Sequence, residues 1–197
     1  MPTAQFLFSM VSLTTALIAQ AGDTNMALST AKPFRAGVND HYGFTIPVNQ
    51  AAPVVASATI EIQAPVERVW QVLTDIENWP EWQRAVTEAT LRGSLAAGSE
   101  FIWRAGGLTF HSRLHTVVPN QVVGWTGKTM GVSAIHNWQL SHQNGVTTVA
   151  VSENLSGFLP WLLRKKFRRD LEAGMAKNLA ELKAASEAGT QPSTTTP

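Results

Sequence analysis

The sequence predicts an α+β domain: a seven-stranded curved antiparallel sheet wrapped around one long C-terminal helix, with two short helices after strand 1. Three observations carry this reading. A strand pattern followed by an amphipathic helix opens the unit at residues 56–75. Short strand patterns then recur at roughly 8–12 residue intervals between turn dipeptides, the spacing of a meander. The chain closes on an apolar stripe of helical period from about Leu159 to Ser186. A sheet with one apolar face and a single long helix bury both by laying the helix against the concave face.

The elements follow in order. In "ASATIEI", Ala58, Ile60 and Ile62 alternate with Ser57, Thr59 and Glu61, the pattern of a half-buried strand. In "APVERVWQVLTD", Pro65 suits a first helical turn, and Val66, Val69, Trp70 and Leu73 share one face. "DIENWPEWQRAV" then sets Trp79 and Trp82 around Pro80 as a turn, with a short second helical turn after it. Six strands follow, separated by Gly106-Gly107, Pro119-Asn120, Met130-Gly131 and Asn144-Gly145. The stripe of the closing helix is Leu163, Phe167, Leu171, Met175, Leu179 and Leu182, at spacings of four and three.

Composition bounds the function. The chain has 197 residues, 44% of them hydrophobic, enough for one domain with a real core. A net charge of +1 gives no pull toward nucleic acid. With no Cys, disulfides and thiolate chemistry are excluded. Five of the seven Trp (79, 82, 103, 125 and 138) fall within 60 residues, an unusual aromatic load.

The ends stand apart from the domain. "FLFSMVSLTTALIA" has the length of a signal-peptide core and is too short to span a bilayer, and Ala19-Gln20-Ala21 is a small-x-small cleavage pattern. Residues 1–21 thus read as a signal peptide. Against this, no Lys or Arg precedes Lys32, and Met26 is an alternative start. The cleavage pattern favours export to the periplasm or beyond over a cytoplasmic location. Residues 22–54 mix Gly, Pro, Asn and Thr without period, as an irregular arm or linker. The tail 188–197 has nothing to bury and reads as disordered.

Turn chemistry sets the register. Asn-Gly is the strongest two-residue hairpin signal, so Gln143 pairs with Val146. Leu140 then opposes Val149, Trp138 opposes Val151 and His136 opposes Glu153, all on one face. That face is apolar and buried, and His136 and Glu153 continue it, with Cβ atoms roughly 5 Å apart. Two-residue loops at Met130-Gly131 and Pro119-Asn120 place Trp125 opposite His136 and Leu114 opposite Trp125. Gly106-Gly107 sets Trp103 opposite Phe110 and Phe101 opposite Ser112, all inward. Arg104, His111, Arg113 and His115 fall on the outer face.

Together, "APVERVWQVLTDIENWPEWQRAV", "GSEFIWRAGG", "VVGWTGKTMGVSAIHNWQL" and the closing helix resemble the START-like helix-grip superfamily. Within it the chain is most similar to the SRPBCC or polyketide cyclase/dehydrase-like group, from about Val55 to Glu187. The resemblance implies a deep cavity between sheet and long helix, used across the superfamily for hydrophobic ligands. It fixes no reaction, because members include carriers, sensors, cyclases and cochaperone-like modules. It also implies that the short helices close one end of the cavity, so that Trp79 and Trp82 point inward or plug the core. Aromatic-cyclase relatives tend to use Tyr and Arg inside the cavity. Here the only Tyr, Tyr42, lies outside the domain and no Arg is placed inward.

Three readings of the His136/Glu153 pair stay open: a register-fixing structural pair, a polar anchor for a ligand, and an acid/base couple. His111 and His115 lie about 13 Å apart along a strand, too far to share a metal, so no metal site is read. Gly106-Gly107 is a hairpin rather than a phosphate loop, and no cofactor is read. Arg164, Lys165, Lys166, Arg168 and Arg169 oppose the helix dipole in the first turns of the long helix. They form a solvated face or, with Phe158, Leu159, Trp161 and Leu162, a contact for an anionic membrane surface or anionic head-group.

The expected function is binding of a hydrophobic small molecule between sheet and helix. The ligand-binding residues are Trp82, Trp103, Phe110, Trp125, His136, Trp138, Glu153, Phe167, Leu171 and Met175. The alternatives are a cyclase/dehydratase-type enzyme with His136 and Glu153 catalytic, and a lipid or quinone carrier at a membrane surface.

Overall fold

The computed structural model describes residues 46–188. The expected signal peptide, most of the arm, Tyr42 and residues 189–197 lie outside the described residues. Seven antiparallel strands form one curved sheet in the order β1-β7-β6-β5-β4-β3-β2. They are β1 (Val54–Ile62), β2 (Val86–Arg92), β3 (Glu100–Ala105), β4 (Leu108–Val118), β5 (Val122–Thr129), β6 (Val132–Gln143) and β7 (Val146–Ser156). The first strand pairs with the last, so the connection from β1 to β2 has to cross the whole sheet. Helices α1 (Val66–Thr74) and α2 (Trp79–Trp82), joined by a 3₁₀ turn at Ile76–Asn78, make that crossing.

The turn dipeptides do what their chemistry demands. Asn144 and Gly145 have φ of 53° and 82°, Met130 and Gly131 of 44° and 76°, and Gly106 and Gly107 of 57° and 78°. Positive φ at both central residues matches the twist of a two-residue hairpin. The pairs Gln143↔Val146, Thr129↔Val132 and Ala105↔Leu108 follow.

Three expectations need correction. The Pro119-Asn120 loop has three residues, with Val118 paired to Val122. A β-bulge at His115 then absorbs one residue and restores Leu114 opposite Trp125. The predicted partner is therefore right although the loop is longer. WPEW does not precede a helical turn but is itself the helix α2, with Pro80 in the first turn, where no backbone N–H is required.

The closing helix is two. A short α3 (Phe158–Leu162) is separated from α4 (Arg164–Ala188) by Leu163, at φ −114° and ψ 33°. That break turns Leu163 out to solvent, while Met175, Leu179 and Leu182 remain in the core.

Helix α4 packs along β1 and against α1. Its C-terminal half is tied down by polar contacts: Arg68 Nη2 donates to the Ala185 carbonyl (3.2 Å), and Lys183 Nζ donates to the Glu61 carbonyl (2.6 Å). The N-terminal half is mostly exposed. Residues 46–53 lie on the convex side of the sheet, where Val48 is buried.

Candidate functional site

The concave face carries a connected run of aromatic rings, because inward positions on β3 to β6 include Phe101, Trp103, Phe110, Trp125, His136 and Trp138. Trp79 enters from α2 and meets Phe101, Trp103 and Trp125 at 5.6, 5.9 and 5.8 Å between ring centres. Its indole N–H donates to the Leu73 carbonyl at 2.9 Å, so Trp79 is a fully satisfied plug beneath the short helices. Two tryptophans can share this short helix because Pro80 fits its first turn and Trp79, at its start, enters the core against Phe101, Trp103 and Trp125. Trp82, at the end of the same turn, is half-buried.

Trp103 stacks on Phe110 across the β3–β4 hairpin at 4.2 Å, and its indole N–H donates to Ser112 Oγ at 3.1 Å. Across β5 and β6 the rings of Trp125, His136 and Trp138 stack nearly parallel, with His136 in the middle at 4.6 and 5.4 Å. The row Leu114–Trp125–His136–Glu153 crosses four strands as the hairpins predict and ends at Ala56 on β1.

At its centre, His136 Nδ1 and Glu153 Oε2 are 2.9 Å apart. Both side chains are nearly out of solvent, at 14% and 13% exposure. With a proton on Nδ1 donated to the carboxylate, Nε2 of the neutral ring is an acceptor; a second proton makes it a donor. That Nε2 is buried and has no hydrogen-bond partner among the described residues, as is also true of Trp82 Nε1 and Trp138 Nε1. A buried polar group left unpaired costs about 1–3 kcal/mol. Folded proteins meet that cost with water or a bound group.

Of the other expected ligand contacts, Phe167 and Leu171 are half-buried on α4, and Met175 belongs to the buried core. Among the described residues no three His, Asp or Glu side chains gather as a metal would require. A depression of about 350 Å³ opens beside the β5–β6 hairpin, lined by His111, Lys128, Met130 and Ser133 among others. His111, Lys128 and Ser133 point to the convex face, away from the His136–Glu153 pair.

The convex face holds a second polar cluster that the sequence reading missed. The His115 bulge lays the imidazole over Gly124, beside Asn137. Asn137 Nδ2 donates to the Ile46 carbonyl at 2.8 Å, and the Asn49 N–H donates to Asn154 Oδ1 at 2.8 Å. These side chains clamp residues 46–49 on the sheet. Burial pushes the His115 pKa down from 6.5 to about 4, with a weaker opposing hydrogen bond from Asn137. A glycine within a strand pattern, Gly124 opposite Asn137, was the available signal for a close approach.

Residues 53–187 match the family described as polyketide cyclase / dehydrase and lipid transport. The chain belongs to this family. No curated protein matches its sequence. Its fold is shared with several solved structures at low identity. One is the hypothetical protein jhp0584 from Helicobacter pylori (15% identity, TM-score 0.64), covering 76% of this chain and 99% of that one. Another is a START superfamily protein from Mycobacterium smegmatis (15%, TM-score 0.61), with 69% and 99% covered. A third is the Zhui aromatase/cyclase from Streptomyces sp. R1128 (15%, TM-score 0.60), with 71% and 97% covered. At these identities the likeness is one of fold. Family membership supports ligand binding or cyclase-type chemistry in general terms, and the side chains have to narrow it.

Proposed function

We propose that the protein binds an apolar small molecule against the concave face, with one polar end held at His136 Nε2. The observation that carries this is a buried imidazole fixed on one side by Glu153 and stacked between two indoles, with its second nitrogen unpaired. Trp103, Phe110 and Trp125 supply flat apolar walls, and Trp82, Phe167, Leu171 and Met175 stand on the helical side. Glu153 orients the ring through Nδ1 and leaves Nε2 for the ligand. A hydroxyl donates to the neutral ring; a carbonyl or carboxylate accepts from the protonated one.

The same geometry supports an acid/base reading, since a carboxylate-held imidazole is a proton-transfer device. Glu153→Gln separates the two, because it keeps size and hydrogen bonding while removing the ionisable group. Binding of 1-anilinonaphthalene-8-sulfonate (ANS), followed by energy transfer from tryptophan, should be saturable and weaken less than about tenfold in the variant. Were the pair catalytic, turnover of a cyclisable polyketide substrate would fall by about 10²–10⁴ with binding largely intact. A signal that never saturates contradicts the binding reading.

A further inference from the structure

Six large hydrophobic side chains are exposed among the described residues, and five of them sit together in sequence or in space: Met130, Phe158, Trp161, Leu162 and Leu163, at 44–69% exposure. Met130 is the tip of the β5–β6 hairpin. The backbone of Gly157, where α3 begins, lies so close to Gly131 that a Cβ on Gly157 would strike the Gly131 carbonyl. Hairpin tip and α3 therefore form one surface, with Phe158 and Trp161 stacked at 6.1 Å.

Folding does not account for this surface. Met130 sits at φ 44°, in a turn where Asn or Gly is preferred, so its side chain is held outward at a local backbone cost. Leu163 is expelled by the break between α3 and α4. Immediately behind the patch, Arg164, Lys165, Lys166, Arg168 and Arg169 are followed by one acid, Asp170, which pairs with Lys166 and Arg169. Residues 158–170 therefore carry five cations and one anion.

We infer that this apolar tip and the basic first turns of α4 form a docking surface for an anionic lipid bilayer. Trp and Phe suit the interface between head-groups and acyl chains, while Lys and Arg reach the phosphates along their aliphatic stems. Each cation near such a surface adds to the attraction. A second copy of the chain fits worse, because a two-fold contact would set five cations against the same five. No described helix is long and apolar enough to cross a membrane, which agrees with contact at the surface. The inference stands whether or not the concave face holds a ligand.

Co-flotation with phosphatidylcholine vesicles, with and without phosphatidylglycerol, tests it. The protein should float with anionic vesicles in low salt and be released in about 0.5 M salt, where charges are screened within a few Å. Brominated lipid should quench its tryptophan emission, and Trp161→Phe should remove most of that quenching. The double variant Lys165→Glu/Arg168→Glu should bind at least about tenfold more weakly. Met130→Asn should also weaken binding while leaving thermal stability equal or higher, a split that a purely structural Met130 would not produce. Equal binding to neutral and anionic vesicles overturns the inference, as does full binding by the charge-reversed variant. So does an absence of vesicle binding, with or without concentration-dependent self-association through the patch.

Discussion

The two faces of the sheet each half-bury one histidine, and they give it different partners. On the concave face His136 meets a carboxylate, lies between two indoles and keeps one nitrogen unpaired. On the convex face His115 lies over Gly124 beside Asn137 and Thr116, and burial holds it neutral. The first arrangement fixes a ring through a carboxylate on the neighbouring strand and the indoles beside it. The second uses a ring as packing, to hold residues 46–49 in place. The difference lies in the partners: Nε2 of both rings is buried without a hydrogen bond of good geometry, but only His136 is aligned by a carboxylate and by stacked indoles.

The largest expected effect breaks the convex side. Gly124→Ala puts a Cβ against Asn137 Oδ1 and the His115 ring at contact distances real structures do not show. Displacing the clamp should cost about 1–3 kcal/mol in denaturant unfolding. Less than about 0.5 kcal/mol would mean the His115–Asn137 packing is looser than described.

His115 itself gives a pH signature. Its proton is taken up near pH 6.5 in the unfolded chain and near pH 4 in the folded one. The unfolded state therefore binds more protons in that window, and stability falls as pH drops from about 6.5 toward 4. Allowing for solvent screening, the loss is roughly 1–2 kcal/mol. Unfolding curves of the wild type and His115→Gln at pH 7.5 and 4.5 should differ by that amount in their pH dependence. Parallel pH dependence contradicts the assignment.

The smallest effect sharpens the contrast on the same strand. Gly127 faces the concave side, and an added Cβ would lie 3.3 Å from Ser112 Oγ, a hydroxyl able to give way. Gly127→Ala should therefore change stability by less than about 1 kcal/mol. A cost as large as that of Gly124→Ala would show that the concave face is as tightly filled as the convex one.

Much of the concave face was legible because hairpin chemistry fixes register and register fixes facing. Asn144-Gly145 alone placed His136 opposite Glu153, and Met130-Gly131 placed Trp125 beside His136. The convex cluster was not legible because it depends on a bulge. His115 has no residue-type signature for an extra position, and the arm it holds carries no period. The break at Leu163 was hidden because that residue itself starts the apolar stripe, in helical spacing with Phe167 and Leu171. The exposed tip was half visible: Phe158, Trp161 and the basic run stood out, whereas Met130 joins them only once the sheet brings the hairpin to α3.

The most direct test of the central claim compares the two histidines in one assay. ANS titrations at pH 7.5 are run on the wild type, His136→Gln and His115→Gln, each first shown to be folded. A saturable site of equal affinity is expected in the wild type and His115→Gln, and at least about tenfold weaker binding in His136→Gln, or roughly 1.4 kcal/mol. Unchanged binding in His136→Gln, or an equal loss in His115→Gln, would contradict the assignment of the concave pair as the ligand anchor.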